Sequence, residues 1–135
     1  MTTTSIITFD TVAYSAKVAD TADTKVAGLE IVESLQENEG MLFPFNNTYV
    51  TFHMGKVQYP IDILFVKKTS NKYVVSKIIH NAQPGCQEMW SNSNVDAVLE
   101  ISGGQCRKYG ISIGSKCKIN TILTVSQEDE NGQIS

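Results

Sequence analysis

The sequence has no apolar run close to the ~18 residues that a membrane-spanning helix needs. Its start, Met1-Thr2-Thr3-Thr4-Ser5, has neither the basic residues nor the apolar core of a secretion signal, so none is expected in the chain as written. Cysteine is scarce: there are 3, an odd number, and no pair has the Cys-x-x-Cys spacing. This argues against a disulfide framework or a zinc site and predicts Cys86, Cys106 and Cys117 to be free, buried thiols. Basic charge is also short, with 11 Lys and Arg against 14 Asp and Glu and a net charge of −3. Lys67-Lys68 and Arg107-Lys108 are isolated pairs that read as solvated surface. Nucleic acid is therefore not an expected partner, because phosphate recognition needs clustered cations. No Ser-His-Asp or Cys-His arrangement carries local signature residues, and no cofactor or metal is expected. Internal repeats and linkers are missing too. These absences lead to the expectation of a soluble protein, cytoplasmic or part of an assembled particle.

What is present is a chain of 135 residues, 41% of them hydrophobic, ordinary for one globular domain. That domain is expected over 1–126, followed by a polar, acidic tail over 127–135. Ile6 to Val18, rich in β-branched and aromatic residues, reads as one or two strands with a turn at Asp10-Thr11. Asp20-Thr21-Ala22-Asp23 is a helix start, since its side chains accept from first-turn amides and suit the positive end of the dipole. Ala22, Val26 and Leu29 then predict an apolar helix face within residues 21–34, covering one side of the sheet. Met41 to Phe45 reads as a buried strand, with Pro44 marking an edge or a bulge. Asn46-Asn47 reads as a turn, and Asn46-Asn47-Thr48 is a glycosylation sequon relevant only to a secretory compartment. From Thr48 to Met54, Val50, Phe52 and Met54 alternate with Tyr49, Thr51 and His53, the period of a sheet with one buried face.

Asp62 to Lys68 and Tyr73 to His80 read as a hairpin turning at Thr69-Ser70-Asn71-Lys72. Residues 81–94 predict a long irregular loop. Ala97 to Ile101 is a strand, Gln105 to Tyr109 a short helix capped by Gly110, and Cys117 to Val125 the last strand. Seven or so strands and two short helices predict an α+β fold, a compact, mostly antiparallel β-barrel or rolled sheet.

Several pieces occur together in one order. They are Thr24-Lys25-Val26-Ala27-Gly28-Leu29, Glu39-Gly40-Met41-Leu42-Phe43-Pro44-Phe45, Phe52-His53-Met54 and Pro60-Ile61-Asp62-Ile63-Leu64-Phe65-Val66. Val98-Leu99-Glu100, Gly103-Gly104 and Lys108-Tyr109-Gly110-Ile111 with Gly114 follow. In order and spacing the chain resembles the family called domain of unknown function 192, over about residues 20–120. The resemblance implies a small α+β barrel-like domain and brings no accepted reaction. Many relatives carry an N-terminal signal or lipid anchor, which is not seen here. The family's usual Phe-Trp-Met reads Phe52-His53-Met54, and its polar tract reads Gly55-Lys56-Val57. Its Met-x-Arg reads Glu30-Ile31-Val32 and its late Gly-Asp reads Gly114-Ser115. The apolar frame is kept while polar positions differ.

Asp62, at the start of an apolar strand, must find donors. Amides of an adjacent turn would supply them, and a ligand or catalytic role at a barrel mouth is the alternative. His53, standing where relatives have Trp, lies on the polar face of its strand and could line a groove. His80 ends a strand beside the long loop. With Asp62 and Glu100, the histidines would form an acid/base pair if folding brought them together. Cys86 is the thiol most exposed to a loop, with nothing nearby to activate it. Trp90, with Met89 before it, is either a partner anchor or a plug closing the barrel end. Two functions follow. The first is a non-enzymatic interaction or structural module, a subunit of a homo-oligomer or larger assembly such as a virion, docking through loop 81–94. The second is a barrel that binds a small molecule or carbohydrate, or a weak hydrolase, with Asp62, His53, Trp90 and Met89 at one mouth.

Overall fold

The computed structural model describes residues 2–124. The tail expected at 127–135 lies outside the described residues. The strands are β1 (Thr2–Thr8), β2 (Ala13–Val18), β3 (Glu39–His53), β4 (Ile61–Thr69), β5 (Lys72–Ala82), β6 (Met89–Ser102) and β7 (Lys116–Thr124). Helix α1 (Ala22–Ala27) and a 3-10 turn (Gly28–Ile31) lie between β2 and β3, and helix α2 (Gln105–Tyr109) lies between β6 and β7. The strands close into a barrel in the order β1-β2-β3-β6-β4-β5-β7. Every pairing is antiparallel except β2 with β3, where Ser15 to Val18 run parallel to Glu39 to Leu42. A parallel pair cannot be joined by a tight hairpin. The α1 segment is the crossover that joins this one. No helix among the described residues is long and apolar enough to cross a membrane.

Strand alternation divides the core in two. Ile7, Tyr14, Leu42, Leu64, Val75, Leu99 and Cys117, drawn from all seven strands, fill the barrel interior. Phe43, Ile61, Ile63, Phe65 and Val98 point the other way, from β3, β4 and β6. This second face would be wet if nothing covered it. Leu29 from the 3-10 turn and Met54 and Val57 from the loop before β4 cover it, each 5% exposed or less. Burying Leu29 alone contributes about 2 kcal/mol. With covered surface on both sides, β4 is buried at every position from Ile61 to Val66, which is why Ile63 to Val66 read as a continuous apolar run.

Three expectations need correction. The helix predicted within 21–34 is only six residues long before the 3-10 turn takes over. The helix start expected at Asp20-Thr21-Ala22-Asp23 is found, and Thr21 and Thr24 close a capping box there. At Gly28, φ is +51° and the helix stops. The turn delivers Leu29 to the core but leaves Val26 82% exposed and Ala22 exposed, so the predicted apolar face is not used as one. Second, Asn46-Asn47 is no turn between strands but an irregularity within the single strand β3. Asn47 and Asn94 both adopt positive φ, and the Asn94 amide donates to Asn47 Oδ1 at 2.8 Å. Asparagine tolerates that conformation, so a turn-like sequence here makes a bulge in a paired strand.

Third, most of loop 81–94 is strand. β6 begins at Met89 and pairs with the outer half of β3, leaving only 83–88 as the connection. Ser91 and Asn92 read as loop because they are polar, yet cross-strand partners Thr51 and Val50 hold them, as in the Thr51–Ser91 hydroxyl pair at 2.9 Å. The hairpin at Ser70-Asn71 and the left-handed Gly110 after α2 are found where expected.

Candidate functional site: a cleft over Glu100

The outer half of β3, beyond Pro44, pairs with β6 on one side only. Its other edge faces the α1 segment across a cleft of about 320 Å³. Phe43, Phe45, Tyr49, Phe52 and His53 line one side, and Lys25, Val26, Gly28 and Glu30 the other. Phe52 organises the aromatic wall, standing edge-on to Phe43, Phe45 and Phe65 at centroid distances of 5.0, 6.1 and 6.0 Å. Lys25 Nζ sits 4.4 Å from the Phe45 ring centroid.

Glu100 is at the inner end of this cleft. It shares the outward face of β6 with Val98 and is only 4% exposed. Among the described residues none donates a hydrogen bond to its carboxyl, and burial alone pushes its pKa up to about 8. A Cβ placed on Gly28 would come 4.0 Å from Glu100 Oε1 and 3.4 Å from Phe43 Cζ. Glycine at 28 thus both permits the positive φ and keeps the carboxyl accessible. Tyr59, in the loop before β4, has a raised pKa from its own burial first and from Glu100 second. Its hydroxyl donates to the Val32 carbonyl at 3.1 Å and ties down the chain after the 3-10 turn. At the outer end, a Cβ on Gly55 would collide with the Glu30 carboxylate and lie 3.3 Å from His53 Cε1. Gly55 lets Glu30 fold over the end of β3.

The residues singled out from sequence are distributed differently. Asp62 is fully buried and faces the barrel interior. Its Oδ1 accepts from the amides of Asn81 at 2.7 Å and Gly104 at 3.1 Å, and its Oδ2 from Cys106 at 2.8 Å. Gly104 has no side chain with which to cap α2, and Asp62 supplies the acceptor from another strand. Asp62 and Glu100 point to opposite faces of the sheet, so they form no pair. His53 is in the cleft wall, opposite Met89 in the β3–β6 register, with Met89 69% exposed. Trp90 is paired with Phe52, half-buried against the edge of the second core, and its Nε1 donates to Glu88 at 3.2 Å. Folding therefore gathers His53, Met89 and Trp90 at one end and leaves Asp62 apart.

His80 is half-buried on β5, and its Nδ1 has no partner among the described residues. The three thiols are free. Burial first raises the pKa of Cys106, with Asp62 adding to it, and burial holds that of Cys117 at about 11. Sequence reasoning missed the prominence of Glu100 and the part of Lys25. The available signal was a carboxylate inside the apolar strand Ala97 to Ile101, of the same kind that drew attention to Asp62.

Residues 5–119 match the family of domain of unknown function 192, described as "Uncharacterized ACR". The chain belongs to this family. Two solved structures share the family chain's fold. One is a protein of unknown function from Novosphingobium aromaticivorans, 28% identical over 85% of this chain and 83% of that one, with a TM-score of 0.72. The other is a provisionally described transcription regulator from Sinorhizobium meliloti, 21% identical over 87% of this chain and 93% of that one, with a TM-score of 0.76. No curated protein matches the sequence. The pieces that mark this domain of unknown function separate in space. Gly28-Leu29, Phe43, Phe52-His53-Met54 and Glu100 meet at the cleft, whereas Asp62 and Gly104 meet at the start of α2.

Proposed function

We propose that the chain binds a small organic molecule in the cleft between the α1 segment and the outer half of β3, with the Glu100 carboxyl as the polar contact at its inner end. Glu100 is the observation that carries this reading. It is nearly without solvent, has no hydrogen-bond partner among the described residues, and borders an aromatic cleft. Burying a carboxyl without a partner destabilises a fold, so an unpartnered one beside open space is better explained by binding than by packing. Apolar walls with a few convergent polar groups are the usual make-up of small-molecule sites, and about 320 Å³ falls at the small end of their range.

The alternative is a subunit of a larger assembly. It loses the long loop that motivated it, since 89–94 is strand. It keeps one specific support: Val26, Tyr49 and Met89, at 82%, 68% and 69% exposure, are apolar surface at the same end of the molecule. Titrating isotopically labelled protein with a fragment library, read by amide chemical shifts, tests the choice. The binding reading expects hits that move the amides of residues 25–30 and 48–54. If no fragment moves them, and native mass spectrometry of protein from its source shows a bound protein subunit, the assembly reading replaces it.

A further inference from the structure

The surroundings of Glu100 limit what the cleft can accept. Where the wall approaches the carboxyl it is aromatic, with Phe43 Cζ and Glu100 Oε1 3.4 and 4.0 Å from the position of a Cβ on Gly28. Ring faces carry partial negative charge and attract cations. The chain already holds a cation against this wall, Lys25 over Phe45. Glu30 adds a second carboxylate at the rim. An anionic ligand would meet two carboxyls, Glu100 at the inner end and Glu30 at the rim, against the one ammonium of Lys25, which already lies over the Phe45 ring. An ammonium group would supply what Glu100 lacks, three N–H donors and a positive charge. Val26 and Tyr49 are exposed at the mouth and offer apolar contact to the rest of such a molecule.

We infer that the cleft takes a small primary amine with an apolar body, its ammonium paired with Glu100. This rests on the ligand-binding reading above. The pairing has a definite proton balance. Burial keeps Glu100 largely protonated at neutral pH in the free protein. The amine arrives as an ammonium ion. Forming the pair breaks the Glu100 O–H bond, leaves a carboxylate beside the ammonium, and passes one proton to the buffer. The other ionisable groups lining this space are Lys25 and Glu30 from the α1 segment and Tyr49 and His53 from β3, and Tyr59 in the loop before β4 is coupled to Glu100 from outside it.

The test uses three probes of matched size, 2-phenylethylamine, 2-phenylethanol and phenylacetate. Each is titrated by calorimetry in phosphate and in Tris, with the wild type and Glu100→Gln. The amine is expected to bind tightest at pH 7 and to release close to one proton per molecule bound. Its affinity is expected to rise roughly tenfold from pH 6 to pH 7, tracking ionisation of Glu100. Glu100→Gln is expected to weaken the amine by about tenfold or more, to abolish proton release, and to leave the alcohol within about threefold. The probe ranking and proton count come from the wild type, so they hold even if the variant fails to fold. Binding of the alcohol or the acid as tightly as the amine overturns the amine class but leaves the cleft as a binding site, and amine binding that Glu100→Gln does not weaken overturns the pairing with Glu100. If none of the three binds, the amine inference falls. The cleft reading itself falls only if the fragment library also leaves residues 25–30 and 48–54 unmoved.

Discussion

Asp62 and Glu100 sit on adjacent strands, with Asp62 opposite Ile101 and Glu100 opposite Ile63, and neither is more than 4% exposed. On the interior face, Asp62 accepts three amide hydrogen bonds and fixes the start of α2. On the exterior face, Glu100 accepts none among the described residues and looks into an aromatic cleft. Burial is thus a poor guide to what a carboxyl does, whereas the count of donors around it is a good one. A satisfied group belongs to the architecture. An unsatisfied one carries a standing desolvation cost that a ligand can relieve.

The largest effect should come from breaking the interior side of this comparison. Asp62→Asn keeps the shape but turns one acceptor oxygen into a donor, facing an N–H that already needs an acceptor. We expect a loss of about 3 kcal/mol, measured by urea unfolding, with α2 loosened in hydrogen exchange around Gly104 to Cys106. Binding at the cleft should persist in the folded fraction. A loss below ~1 kcal/mol would mean that these three bonds are not what holds α2, and the contrast with Glu100 would weaken.

The next effect comes from the exterior side and is read with pH. The Glu100 pKa is raised from 4.5 to about 8 by burial, so between those values the native state holds a proton that the unfolded state has lost. Stability should therefore be fully present below pH 4.5 and fall as pH rises towards 8. Between pH 6 and pH 8 the loss should be about 2 kcal/mol, measured by urea midpoints at each pH. Glu100→Gln has no proton to lose and should flatten this slope while costing less than ~1 kcal/mol at pH 5. An unchanged slope in the variant would show that another group governs the window and that Glu100 is not strained.

These two sites were unequally legible in the sequence. Asp62 could be read, because a carboxylate beside Pro60 at the head of Ile63-Leu64-Phe65-Val66 has to find donors nearby, and turn amides were the simplest source. The barrel was legible for a related reason. Period-2 alternation at Thr48 to Met54 and a doubly apolar β4 specify a sheet with covered faces. The cleft was not legible. It depends on α1 stopping at Gly28, which propensity does not dictate, and on β3 and β6 continuing through Asn46-Asn47 and Ser91-Asn92-Ser93-Asn94. Local chemistry in those segments favours turns, and cross-strand pairing overrides it. The sequence is enough to set His53 on a groove, because alternation is local. Trp90 reads as a loop residue because its partner Phe52 lies far away in sequence.

The smallest effect sharpens the comparison at the cleft floor. Gly28→Ala adds one methyl at a position where φ is +51° and ψ −138°, outside the left-handed helical well, and the backbone strain should cost about 1–2 kcal/mol, a fall in Tm of about 4–8 °C. The methyl itself meets no hard obstacle, since its nearest neighbours are Phe43 Cζ at 3.4 Å and Glu100 Oε1 at 4.0 Å, ordinary contact distances. It does occupy the space through which a ligand would approach the carboxyl. Modest destabilisation with weakened binding of 2-phenylethylamine is therefore expected, the reverse of the Asp62→Asn pattern, in which stability falls and binding persists. A loss above ~3 kcal/mol would mean that the chain around Gly28 packs against Glu100 as tightly as α2 packs against Asp62. The two carboxyls would then differ in hydrogen bonding alone, and the open floor that separates binding from architecture would be gone.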